Sequence, residues 1–218
     1  MLNSPLTSVL FVLLFVLSPI YGAFEYMQLV LQWPTAFCHT TPCKRIPNNF
    51  TIHGLWPDNV STTLNYCAAK ENFKNIEDDT KKDDLYKRWP DLTTAETYCK
   101  QHQNFWRHEY NKHGKCCSES YNREQYFDLA MALKDKFDLL SSLRNHGIIP
   151  GRGMKYTVQK INSTIKKITQ GYPNLSCTKG IMELVEIGIC FDSMVKNVIN
   201  CPHPKTCKPT GSNEIKFP

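Results

Sequence analysis

Phe105-Trp-Arg-His-Glu-Tyr-Asn-Lys-His-Gly-Lys-Cys116 places two histidines, a glutamate and a lysine within six residues. On a helix, His108 and Lys112 are four apart, as are Glu109 and His113, so the four side chains form two adjacent rows on one face. Gly114 supplies a helix stop. Phe105, Trp106 and Tyr110 interleave with the charges and Cys116 and Cys117 pin the end, which predicts a partly buried face rather than a wet one. Imidazoles that titrate near neutrality, a fixed ammonium and a carboxylate suit acid–base work on an anionic substrate such as a phosphate ester. Zinc protease chemistry does not fit: His108 and His113 are five apart, about 140° around a helix, where that motif needs an i, i+4 pair.

A second histidine stretch lies upstream. In Asn48-Asn-Phe-Thr-Ile-His-Gly-Leu-Trp-Pro-Asp58, period-two alternation puts Thr51, His53 and Leu55 on one face of a strand and Phe50 and Ile52 on the other. A lone strand histidine is more often packed than catalytic. With the downstream cluster as partner, His53 becomes half of an acid–base pair facing across a cleft.

The ends of the chain fix its setting. Val9 to Leu17 is an unbroken apolar run, too short to span a membrane, followed by a small-residue site at Gly22 and Ala23. Residues 1–22 read as a signal peptide, although no lysine or arginine precedes the run, and residues 23–218 as one secreted domain with no membrane anchor. All ten cysteines fall in that domain without a Cys-x-x-Cys pair, as expected of a disulfide framework rather than zinc sites. Sequons at Asn49, Asn59, Asn162 and Asn174 agree with export. The formal charge of +6 and pI near 8.7 favour an acidic partner such as nucleic acid, but the excess is scattered and decides nothing alone.

Phe24 to Leu31 reads as a central strand ending at Gln32-Trp33-Pro34. Lys70 to Asp84, with only Phe73 and Ile76 apolar, reads as a solvated surface segment. Thr93 and Glu96 form a capping box for a helix running towards His113. Asn122 to His146 is expected to be one long amphipathic helix stopped by Gly147, and Val158, Ile161, Ile165 and Ile168 mark another. Ile181 to Phe191 reads as a strand with Met194 to Ile199 as its hairpin partner. The predicted class is α+β: a single disulfide-stapled domain with mixed helices around a central antiparallel sheet.

With both histidine segments present, the chain resembles the T2 family of secreted ribonucleases, whose signatures are a His-Gly-Leu-Trp-Pro strand and a Phe-Trp-x-His-Glu-x-x-Lys-His-Gly-x-Cys helix. The opening Phe24 to Pro34, the Asn49 sequon and the basic charge are most similar to the self-incompatibility ribonucleases (S-RNases) of nightshade-type styles. The resemblance implies single-stranded RNA as substrate, with His113 as base on the ribose 2′-hydroxyl and His53 as acid on the departing 5′-oxygen. His108 would bind phosphate, with Glu109 and Lys112 stabilising the phosphorane. The product would be a 2′,3′-cyclic phosphate; DNA would not be cut, and no metal or other cofactor is needed. Gln32, Phe105, Asp91 and Leu92 would hold a base, with Trp56 completing the substrate-binding set.

The family pairings imply Cys38–Cys43, Cys67–Cys116, Cys177–Cys207 and Cys190–Cys201, leaving Cys99 and Cys117 either free or as a fifth bridge. Lys115 stands where threonine is common and Asp91 where asparagine is common, so base preference stays open. A monomer that meets a pollen-side protein partner through Thr62 to Lys82 is the implied biology. The alternatives are a housekeeping phosphate-scavenging ribonuclease and a non-catalytic secreted recognition glycoprotein.

Overall fold

The computed structural model describes residues 24–69, 72–202, 207 and 213–218. Residues 1–22, read from the sequence as a signal peptide, lie outside the described residues. Strand β1 (Tyr26–Gln32) is buried along its whole length and lies between β2 (Thr51–Asp58) and β5 (Leu184–Asp192), both antiparallel to it. Strand β4 (Asn174–Cys177) pairs with the far edge of β5, and β6 (Val198–Ile199) also pairs with β5. A two-stranded sheet of β3 (Lys155–Thr157) and β7 (Glu214–Lys216), not anticipated from sequence, ties down the C-terminus. There Trp33 packs against Phe50 and Phe217 and donates Nε1–H to the Pro218 carbonyl at 2.5 Å.

The sheet has one dry face and one chemical face. Met27, Leu29 and Leu31 point into the main core with Ile52, Leu55, Trp106, Tyr110, Tyr126 and Phe127. Gln28 and Gln32, the polar alternates of β1, point the other way. The expected alternation in β2 breaks at a β-bulge: Val30 pairs with Gly54 but Leu31 pairs with Ile52. His53 is therefore the extra residue, and Leu55 falls on the core face beside Ile52 rather than on the face of His53. Simple period-two counting fails because it allows no inserted residue.

Two expected long helices are each interrupted. The run towards His113 consists of α3 (Glu96–His102) and α4 (Asn104–Lys112), joined by Gln103 at φ 55°. Ala95, not Thr93, occupies the N-cap of α3; the Thr93 amide and hydroxyl donate to Asp91 Oδ1 instead. The break is held by the buried Gln103 side chain, which accepts from the Ile76 amide and donates to the Ile76 carbonyl. That clamp also corrects the reading of Lys70 to Asp84 as purely solvated. Ile76 is buried, and Asp78 caps a helix, α2 (Asp79–Arg88), whose Leu85 and Tyr86 are core.

Asn122 and Gln125 form a capping box that starts α5 (Arg123–Phe137), but Asp138 at φ 28° separates it from α6 (Leu139–Asn145). Short α1 (Pro34–Cys38) follows β1, and α7 (Val158–Thr169) buries Ile161 and Ile165 as its pattern predicts. The hairpin partner expected over Met194 to Ile199 shrinks to two residues, because Asp192 accepts from the Lys196 and Asn197 amides and makes most of the segment a turn.

Cys38–Cys43, Cys67–Cys116, Cys177–Cys207 and Cys190–Cys201 are bridged. Cys99 and Cys117 are buried free thiols, so there is no fifth bridge between them. Cys67–Cys116 ties the loop after β2 to the 3₁₀ turn Gly114–Cys117 that follows α4, drawing the two histidine-bearing elements together.

Candidate active site

Two features of β2 bring His53 and the α4 cluster face to face. The first is the bulge in β2, which re-aims His53. Its backbone is held by the Trp89 indole, which donates to the His53 carbonyl at 2.8 Å, while Trp106 of α4 donates to the Trp89 carbonyl at 2.7 Å. The second is Gly54, where a Cβ would lie 2.1 Å from Trp56 Nε1 and 2.4 Å from Glu109 Oε2. Without that side chain, Trp56 Nε1 can donate to Glu109 Oε2 at 3.1 Å, joining β2 to α4. At the other end of α4, Gly114 lets the Tyr110 ring approach, since a Cβ there would meet Tyr110 Cδ2 at 2.5 Å. Its role is this close packing, and the helix stops at His113.

The result is a cleft of about 580 Å³ lined by His53, Trp56, Phe105, His108, Glu109, Lys112 and His113. Tyr26, Gln28, Asp58, Thr63, Asn65 and Asn174 complete the wall. A second pocket of about 370 Å³ shares His53 and Phe105 and is lined by Gln32, Asp91, Leu92 and Thr93. All ten residues singled out for catalysis or substrate binding thus line two adjoining concavities. Thr63 and Asn65 belong to the stretch assigned to recognition, so that surface reaches the rim of the cleft.

The two imidazoles sit in opposite environments. His53 Nδ1 lies 2.5 Å from Glu186 Oε1 on β5. Burial works against a charge on the His53 ring, but the Glu186 hydrogen bond and charge, joined by Glu109, outweigh it and Lys112, so its pKa is raised. His113 is 6% exposed, stacks on Trp56 at 4.9 Å, and has no hydrogen-bond partner at either ring nitrogen among the described residues. Burial, then Lys112, His53 and His108, push its pKa down to about 3. Burial also raises the pKa of Glu109, against the pull of His53, the Trp56 hydrogen bond, His108 and Lys112. Titrating groups driven apart in this way suit one member to donate a proton and the other to accept one.

Sequence reasoning missed Glu186 and Asn174 as site residues. Glu186 carried no signal of its own: the strand expected over Ile181 to Phe191 also holds Glu183, and the sequence does not say which carboxylate meets His53. Asn174 carried a misleading one. It reads as a glycosylation sequon, yet it is 6% exposed, lines the cleft and donates Nδ2 to Gln28 Oε1 at 3.0 Å. A glycan on that nitrogen would break the bond and fill the cleft. Asn49 is exposed, whereas Asn59 and Asn162 are half-buried. Among the described residues, no group of three or more histidine, cysteine, aspartate or glutamate side chains could hold a metal ion, and no helix is long and apolar enough to cross a membrane.

The Ribonuclease T2 family pattern matches residues 24–201, and the chain belongs to that family. It is 70% identical to Ribonuclease S-6 of Nicotiana alata across the full length of both chains. Its fold is similar to that of the self-incompatibility-associated SF11-RNase of Nicotiana alata, with a TM-score of 0.82 and 46% identity over 89% of this chain and 98% of that one. It is also similar to ribonuclease MC1 from bitter gourd seeds, in a Tyr-to-Ala mutant complexed with 5′-UMP, with a TM-score of 0.77 and 28% identity over 90% of this chain and all of that one. The chain is a T2-family ribonuclease, an enzyme acting on RNA, with S-RNases among its relatives.

Proposed function

We propose that the cleft cleaves single-stranded RNA by transphosphorylation. His113, neutral at working pH, takes the proton of the ribose 2′-hydroxyl. The 2′-oxygen bonds to phosphorus as the bond to the 5′-oxygen breaks, and His53, protonated, delivers its proton to that leaving oxygen. The products are a 2′,3′-cyclic phosphate and a 5′-hydroxyl. A phosphodiester beside His113 favours its protonated form and so raises its basicity when substrate is bound. His108 and Lys112 face the phosphate, and Lys112 with Glu109 stabilises the crowded phosphorane. Gln32, Asp91, Leu92 and Phe105 hold one base. The observation that carries this reading is the opposed electrostatic setting of His53 and His113 across one cleft. No step calls for a metal ion.

The protein is further proposed to be a secreted, monomeric stylar glycoprotein that rejects pollen sharing its allele, with a glycan at Asn49 and the signal peptide removed. The 70% identity to a Nicotiana ribonuclease of the S series supports this reading. Recognition of a pollen-side protein falls to the stretch from Thr62 to Lys82 together with the groove of about 790 Å³ where Asn75, Glu77, Thr80 and Lys81 face Arg123 and Glu124 of α5. No residue of the proposed chemistry lines that groove. Exchanging Thr62 to Lys82 between two alleles while keeping Thr63, Asn65 and Cys67 is expected to change which pollen is rejected, with RNA cleavage intact. Rejection that follows the rest of the chain would move the recognition surface elsewhere. A transcript abundant in roots and leaves but absent from styles would favour phosphate scavenging.

A further inference from the structure

We propose that Glu186 is the positioning residue of the acid step: it anchors the His53 ring through Nδ1, so that Nε2 carries the transferable proton into the cleft. The inference rests on the acid role of His53 argued above. His53 is the inserted residue of a bulge, so the β1–β2 ladder does not fix its ring as it would a regular strand residue. Its aromatic neighbours steer it loosely: Trp56 meets it edge-on at 5.3 Å and Phe105 lies nearly parallel at 6.3 Å. The directional contact is the 2.5 Å hydrogen bond with Glu186.

Topology explains why a glutamate from so distant a part of the chain does this. Glu186 pairs in register with Gln32, so its side chain rises on the chemical face of the sheet and must reach over β1 from β5 to β2. Neighbouring strands are about 4.8 Å apart, so this spans roughly two strand spacings, shared between the glutamate and the imidazole. An aspartate is one methylene short. Four charged or titratable groups face His53: Glu186 from β5, Glu109 and Lys112 from α4, and His113 at the end of α4. Glu109 is engaged by Trp56 Nε1. The carboxylate hydrogen-bonded to the ring is that of Glu186, and a carboxylate on one ring nitrogen sets the tautomer and orientation of the other. It also favours the charged ring, so the proton stays on His53 to higher pH.

The test compares two substrates: a dinucleoside monophosphate, whose leaving 5′-oxygen needs a proton, and a nucleoside 3′-(4-nitrophenyl phosphate), whose leaving group departs without one. Glu186→Gln is expected to lower kcat on the dinucleotide about 10- to 100-fold. Its kcat/KM profile should lose activity on the alkaline side about one pH unit or more earlier, because His53 then deprotonates sooner. The nitrophenyl ester should be cleaved within about threefold of the native rate. Glu186→Asp keeps the charge at shorter reach and should restore part of the alkaline limb but not the full dinucleotide rate; if Glu186→Gln does not fold, this variant decides by the same readouts. Equal losses on both substrates, or an unmoved alkaline limb, would overturn the inference and leave Glu186 a structural ion-pair member. His53→Ala in the same assays separates the two ideas. If it loses the nitrophenyl ester as severely as the dinucleotide, the acid assignment fails; if it spares the ester while Glu186→Gln does not, only the positioning role fails.

Discussion

Replacing His53 or His113 with alanine is expected to lower kcat for RNA cleavage by about 10²- to 10⁴-fold in each case, the usual contribution of a positioned proton donor or acceptor. The fold should survive both changes. Neither nitrogen of His113 has a hydrogen-bond partner among the described residues, so its removal orphans none of their groups; it forfeits stacking on Trp56. Removing His53 leaves Glu186 without its ring partner but keeps the backbone carbonyl that Trp89 grips. Because the proposed mechanism couples the two groups in one transfer, the double variant should lose far less than the product of the single losses. Initial rates on homopolymeric RNA, alongside thermal melts, check this. Turnover within tenfold of native in either variant would reassign the roles.

Gly54→Ala should have the second-largest effect despite adding one methyl group outside the acid–base pair. The new Cβ would sit 2.1 Å from Trp56 Nε1 and 2.4 Å from Glu109 Oε2, so the hydrogen bond between them cannot persist. Neither partner can yield cheaply, since the indole is stacked on His113 and Glu109 is 2% exposed. Overpacking of this kind costs about 1–3 kcal/mol, and displacement of catalytic groups by about 1 Å costs roughly 10²-fold in rate. A lower urea midpoint together with about a hundredfold drop in kcat is the expected result. A variant within threefold of native kcat would show that the Trp56–Glu109 link is dispensable.

The α4 cluster was legible because helical spacing alone places His108, Glu109, Lys112 and His113 on one face, and β1 and α7 because their apolar periods are unbroken. What was not legible depended on contacts distant in sequence. The bulge at His53 changes which strand residues share a face, and nothing local announces an inserted residue. The break at Gln103 is held by Ile76, 27 residues away. Asn174 reads as a glycan site until the strand pairing of β4 buries it against Gln28. Glu186 shares its expected strand with Glu183, so nothing local singled it out, and its partner on β2 is 133 residues upstream. Motif reading found the groups proposed to do the chemistry; tertiary structure supplied the group that aims one of them.

The most direct test of the central claim uses a DNA oligonucleotide containing a single ribonucleotide, incubated with the purified protein in excess chelator. A nucleophile supplied by the substrate predicts one cut, on the 3′ side of that ribonucleotide, leaving a 2′,3′-cyclic phosphate on one fragment and a 5′-hydroxyl on the other. Cleavage at deoxynucleotide positions, fragments bearing a 5′-phosphate and a 3′-hydroxyl, or activity abolished by the chelator and restored by zinc would contradict the account.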